Sequence, residues 1–326
     1  MKLLSRAVAE ETKPSRLNVR SLLELYGVVI LGICLAVVLS LMTDSFFTAA
    51  NINNLIQQWA FIGIMACAAT VLMIAGCFDL SVAAVFALSG VVAASAAASH
   101  GVVTGICAAL LTGVVVGAIN GGIVGYLGIN SFLATLASGF ILRGVALTIS
   151  GGLLVTVSDP GFSKLGRGEF LGFSLLNWAF VAAIAIIGFI LHSTVYGRAV
   201  YASGSNEEGA YLAGVNVRQT KFIAYVISGI AASVAGFLAA SQSSTGQAAS
   251  GTGYELLVVA AVVLGGTSIT GGRGAIWRTV VGTLVLGLIA NGSNLLGLSG
   301  TLQQIIQGAI ILLAVVLDRF SRSASH

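Results

Sequence analysis

From Leu80 to Leu142 the chain carries no Asp, Glu, Lys or Arg. A helix crosses the hydrocarbon core of a bilayer with about 20 predominantly apolar residues, so this one stretch has room for three crossings. The pattern recurs elsewhere, and only 8% of the 326 residues are charged, against about 25% in a soluble domain that must wet its surface. The chain is therefore expected to be an all-α, polytopic protein embedded in a lipid bilayer. Disorder, a disulfide scaffold and a collagen are excluded by the same composition. A soluble nucleic-acid binder is excluded too, and the formal charge of +4 bears on topology instead.

The charge-free gaps divide the chain. Leu25 to Thr43 makes one span, and Ser45 to Phe78 a second behind an Asn-rich lead of Asn51, Asn53 and Asn54. The run from Leu80 breaks at Ser99-His100-Gly101 and at Gly125 to Asn130 into three. Phe170 to Gly197, Phe222 to Tyr254 and Leu256 to Gly272 add one each, and Thr279 to Leu317 adds two, split near Gly297 to Gly300. About ten helices result, at least one of them broken, with both termini on one side. Lys and Arg accumulate in cytoplasmic loops. Under this topology only Arg143, Lys164 and Arg167 of the 15 lie outside, which makes both termini cytoplasmic. Residues 1–20 then form a cytoplasmic N-terminal segment, 21–318 the membrane domain with a cytoplasmic loop at 197–221, and 319–326 a cytoplasmic tail. The apolar run from Leu25 exceeds the 7–15 residues or so of a cleaved signal, so it reads as a retained helix.

Ionisable groups inside a bilayer are costly and mark candidate sites. Asp79 and Ser81 follow a Gly break at Gly76, and Asp79 reads either as a helix N-cap or as a group on a translocation path. Glu255 opens an apolar run, where the helix dipole favours an anion. Arg143 lies near the outer end of the fifth span, placed to snorkel to the interface or to meet a ligand. Asn120, Thr135, Asn291 and Asn294 are neutral polar groups that could bond a sugar or a neighbouring helix. Gly113, Gly117 and Gly121 have the four-residue spacing that lets helices approach, though a chain with 42 glycines shows such spacing by chance.

The loop from Gly197 to Lys221 is more than a turn. Ser205-Asn206 ahead of Glu207-Glu208 is a helix start, and Gly214 is a stop, so a short helix is expected along the membrane face. No phosphate-binding loop of the G-x4-G-K-[ST] type, no H-E-x-x-H and no metal-spaced His/Cys cluster occurs. The histidines His100, His192 and His326 are far apart, so neither a metal site nor a catalytic set is expected, and the chain is not expected to be an enzyme.

Several segments together resemble the inner-membrane permease subunits of bacterial ATP-binding-cassette importers for monosaccharides, the ribose and arabinose permease family. They are Phe78-Asp79-Leu80-Ser81-Val82, Gly204 through Val215, Gly253-Tyr254-Glu255-Leu256 through Ser268 with Gly271-Gly272, Asn291 through Leu296, and Asp318-Arg319. The resemblance covers nearly the whole chain. It implies that the loop holds a coupling helix docking into a separate cytoplasmic ATPase, with Asn206, Glu207, Glu208, Ala210 and Gly214 as contact residues. Glu208, Ala210 and Gly214 fit the family pattern E-A-A-x3-G, while Gly209 replaces its middle Ala. Ala83, Leu257 and Ser244-Thr245-Gly246-Gln247 look closer to the arabinose than to the ribose permeases.

The implied protein is a homodimer that receives a monosaccharide, a pentose such as L-arabinose or ribose, from a periplasmic binding protein. It would hold no cofactor itself, with ATP and Mg on the ATPase. The alternative is an ion-coupled secondary sugar transporter in which Asp79 and Glu255 titrate or bind the ion.

Overall fold

The structure, a computed structural model, describes residues 19–309 and 312. The expectations for residues 1–18, for the end of the last span, for Asp318-Arg319 and for the tail lie outside the described residues.

The expected helices form around one buried rod. Helix α1 spans Val19–Met42 and α2 Ala49–Ile74. Every residue of α2 from Trp59 to Ile74 is buried, as expected of a helix that is apolar all round. Helix α3 (Val82–His100) carries α4 (Val102–Gly121, continued by a π-helical turn at Gly122–Tyr126) and α5 (Ser131–Ser150) packed on it, while α7 (Leu175–Ser193) packs on α2. The set is completed by α10 (Val217–Ser243), α11 (Tyr254–Leu264) and α12 (Ile276–Leu295). Residues 300–309 begin a further helix. Short elements fill the ends: α6 (Pro160–Arg167), α8 (Val195–Ser205), α9 (Glu207–Leu212), and four two-residue strands. Strand β1 (Val155–Thr156) pairs with β4 (Thr245–Gly246), and β2 (Glu169–Phe170) with β3 (Phe173–Ser174).

Seven helices among the described residues are long and apolar enough to cross a membrane: α2, α3, α4 with its π-turn, α5, α7, α10 and α12. The segment expected to span at 256–272 does not. It is helical for 11 residues, α11, which rise about 16 Å, half of a core roughly 30 Å thick. Glycines set its limits. Gly253 enters it at φ +87°, and beyond its end Gly266 turns away at φ +84°, a backbone that side chains with a Cβ rarely adopt. The chain between α10 and α11 is irregular apart from β4, so a long helix is followed by an unwound segment and a half-length helix.

The glycine spacing in α4 is a contact and not an accident of composition. A Cβ on Gly117 would lie 2.6 Å from the Tyr225 carbonyl oxygen, on Gly121 2.9 Å from that of Phe222, and on Gly125 2.7 Å from that of Arg218. Gly113 meets Gly229 and Ser233 in the same way. Four successive small positions thus seat α4 directly on the backbone of α10. Polar pairs tie other helices. Thr70 and Thr279 hydroxyls lie 2.6 Å apart in the buried interface of α2 and α12. Asn51 and Asn291 exchange two amide hydrogen bonds, of 3.1 and 2.8 Å.

Candidate functional site

One end of the bundle holds a recess of about 590 Å³ between the start of α2, the ends of α10 and α12, α11, and residues 300–309. Its lining is dominated by side-chain amides. Asn54, Gln57 and Gln58 come from one face of α2, at the i, i+3 and i+4 spacing that brings helical side chains together. Gln303, Gln304 and Gln307 face them, with Gln242 and Asn294 between. Trp59, Phe61 and Tyr254 supply aromatic surface, and among the described residues no Asp, Glu, Lys or Arg lines the recess. Each amide offers two donors and an acceptor without a charge. Such a wall suits a neutral ligand rich in hydroxyl groups.

The other sequence-selected polar residues fall into two clusters. The first is a knot at the opposite end, in the break between α2 and α3. Asp79 Oδ1 accepts the Ser81 amide at 2.9 Å and the Ser81 hydroxyl at 2.6 Å, and Oδ2 accepts the Ser228 hydroxyl of α10 at 2.7 Å. Asn120 of α4 donates to Ser81 Oγ at 2.8 Å. Thr135 of α5 accepts the Leu80 amide at 3.0 Å, and the Tyr225 hydroxyl donates to the Phe78 carbonyl at 2.6 Å. Burial raises the Asp79 pKa, and the bonds from Ser81 and Ser228 oppose that shift. Asp79 here orders the start of α3 and joins it to α10. Asp79→Asn should lower the melting point of the detergent-purified protein, at about 1–3 kcal/mol for a donor left unpaired. An unchanged melting curve would remove this role.

The second cluster lies on the unwound segment. Arg143 Nη1 of α5 donates to the carbonyls of Ala248 and Ser250, at 2.6 and 2.8 Å. Glu255, in the first turn of α11, is the charge that acts on it. Arg143 therefore braces backbone that a broken helix leaves unpaired. Asp79 and Glu255 belong to separate clusters. Of the sequence-selected polar residues, only Asn294 lines the amide recess, and Asn291 is paired with Asn51.

At the Asp79 end, α9 forms where the helix start and stop were read. Asn206 Oδ1 accepts the Gly209 amide at 2.9 Å, capping the first turn. Gly214, at φ +85°, closes the other end: its amide bonds Tyr211 O at 2.9 Å, and Val215 N bonds Ala210 O at 2.9 Å. That pair of bonds is a Schellman ending. Lys221 Nζ holds both Glu207 carboxylate oxygens at 2.8 Å, while Ala210 is buried and Tyr211 and Leu212 are 71% and 78% exposed.

Residues 51–315 match the family described as branched-chain amino acid transport system / permease component. The chain belongs to this permease family. The permease is 39% identical over 302 residues to the L-arabinose transport system permease protein of Escherichia coli strain K12, covering 92% of each chain. It is equally 39% identical over 302 residues to the ribose import permease protein of the same strain, covering 91% of this chain and 94% of that one. With the ribose import permease protein of Bacillus subtilis strain 168 it shares 38% over 317 residues, 95% and 97% of the two chains. No solved structure matches it. The resemblance carried by its motifs is borne out, and the permease is a multi-pass inner-membrane protein.

The recess amides other than Asn294 were not among the candidate site residues read from sequence, Asn54 having been read only as part of an Asn-rich lead. Their signal is present in the permease sequence: Asn54, Gln57 and Gln58 share a helical face, and so do Gln303 and Gln307. Taken one at a time they look like any polar residue at a helix end, and only the shared face marks them.

Proposed function

We propose that the permease is the membrane-spanning subunit of an ATP-driven importer for a monosaccharide, a pentose such as L-arabinose or ribose. The observation that carries this reading is the uncharged recess of amides and aromatic rings at the end of the bundle opposite α9. A pentose presents hydroxyls that donate and accept, which an amide answers in both directions, and apolar ring faces for Trp59, Phe61 and Tyr254. An amino acid carries an ammonium and a carboxylate, and burying either without a partner is costly. Among the described residues the recess has no charged side chain to meet them. The named activities of the arabinose and ribose permeases agree with this chemistry, and their equal identity to the chain leaves both pentoses as substrates.

In this reading α9 is the coupling helix, and the excess of Lys and Arg puts its end of the bundle in the cytoplasm, with both termini. The recess then faces the periplasm, where a sugar-binding protein delivers the ligand. Ten membrane segments follow if α1, α11 with its unwound lead, and the helix from residue 300 join the seven long helices. Two copies form the translocation path, and a separate ATPase binds ATP and Mg. The helix bundle supplies two states, and the ATPase shifts their populations by binding one better.

The test is uptake of labelled L-arabinose, D-ribose and leucine by cells with and without the permease, under an uncoupler and separately under ATP depletion. Chain-dependent pentose uptake should survive the uncoupler and stop when ATP is depleted. Uptake that collapses with the uncoupler at constant ATP, or uptake of leucine alone, would overturn the reading.

A further inference from the structure

A second, smaller chamber of about 190 Å³ adjoins the recess, and Phe61 and Tyr254 line both. Three rings form one wall. Phe61 and Phe86 stand edge to face with centroids 6.0 Å apart, and Phe86 and Tyr254 are tilted at 5.5 Å. Opposite them run small residues of α10, including Gly236 and Ala239, and the unwound segment that Arg143 braces. Gly251 is needed there: its φ is +64°, and a Cβ would press on the Phe86 ring at 2.8 Å. Gln247 and Tyr254 line the chamber, and among the described residues no Asp, Glu, Lys or Arg does.

We infer that this chamber is a monosaccharide-binding subsite inside the permease, entered from the recess past Phe61 and Tyr254. The inference rests on the proposed sugar-import function. At about 190 Å³ against about 590 Å³ for the recess, the chamber is the tighter of the two and the better sized to a single sugar ring. Aromatic faces take the apolar side of a sugar ring, while Gln247 and Tyr254 offer donors and acceptors to its hydroxyls. The half-helix α11 begins at Tyr254, so a ligand in the chamber touches the point where the crossing is broken. Broken helices in transporters place their ends at the transported ligand. The consequence is that the permease adds its own selection by ring size to whatever a delivering protein selects.

The experiment uses the full chain in nanodiscs, with equilibrium binding of labelled L-arabinose and D-ribose and unlabelled maltose as competitor, beside uptake in cells. Ala239 lines the chamber and not the recess, so Ala239→Leu fills the chamber alone. Gln247 is exposed in the ligand-free chain, so Gln247→Ala leaves the packing intact. Wild-type protein should bind pentose saturably and not be displaced by maltose. Gln247→Ala should weaken binding about tenfold, the loss of one hydrogen-bonding partner. Ala239→Leu should abolish binding and should depress uptake of galactose more than that of a pentose, a change in selectivity that damaged folding would not produce. Variants that bind and import like wild type overturn the chamber and leave the importer standing. Failure of the wild-type chain to import any pentose overturns the importer reading itself.

Discussion

Glu208→Lys should leave the permease in the membrane at its normal level and cut ATP-dependent uptake by about a hundredfold or more. The helix survives the change because its supports lie elsewhere: the Asn206 cap, the closing bonds at Gly214, and the grip of Lys221 on Glu207. A lysine in the first turn forfeits about 0.3–1 kcal/mol of helix-dipole stabilisation, too little to unfold an anchored turn. Glu208 itself is exposed, so its carboxylate is available to a docking partner. If α9 enters a cleft on an ATPase, reversing that charge sets like against like, which costs several kcal/mol at an interface, and every 1.4 kcal/mol or so is tenfold. Glu207→Gln is the comparison. Its pair with Lys221 has side chains 15% and 63% exposed, and exposed pairs contribute about 0.2–1 kcal/mol, so uptake should fall only modestly. Quantitative blots of membranes and labelled-pentose uptake measure both. Full uptake by Glu208→Lys would remove α9 from the coupling role.

The sequence carried the fold wherever a single local rule decides the backbone. The absence of charge from Leu80 to Leu142 located α3, α4 and α5, and the glycines at 101 and 128, with φ of +88° and +68°, separate them as read. Asn206 and Gly214 bound α9 because a cap and a left-handed glycine act within one turn. The half-length of α11 was hidden. Its charge-free stretch continues to Gly272, and what stops the helix is the turn at Gly266 together with the fit of Gly265 against Arg278 and Thr279. That contact is tertiary, and hydropathy does not encode it.

The candidate site was less legible for a related reason. The search for costly groups in lipid found Asp79, Asn120 and Thr135, and the structure joins them, but as the clasp that holds a break between helices. Arg143 was selected as a charge near the outer end of a span, and its partners are carbonyls about a hundred residues away in the chain. The residues that line the recess are amides, neutral and individually unremarkable in sequence. They become a site only when the start of α2 and residues 300–309 meet.

The seam between α4 and α10 allows the sharpest test of what holds the bundle together. Gly117→Leu should yield no folded permease, whereas Gly144→Leu, in a helix of similar length, should be tolerated. Around Gly144 a Cβ would meet nothing within 4 Å, so the added side chain enters open space outside the bundle. At Gly117 it would meet the Tyr225 carbonyl at 2.6 Å and Val226 Cα at 2.8 Å. Overpacking a core typically costs about 1–3 kcal/mol when side chains can shift. Here the obstruction is backbone, so relief requires α4 and α10 to move apart. That movement would pull Tyr225 from Phe78 and Ser228 from Asp79, opening the buried knot that orders the start of α3. One substitution thus strains the packing and unpairs a buried carboxylate together. Size-exclusion profiles of detergent extracts, followed through a heating series, measure the outcome. A monodisperse Gly117→Leu protein melting like wild type would mean that the seam is not what holds α4 in place.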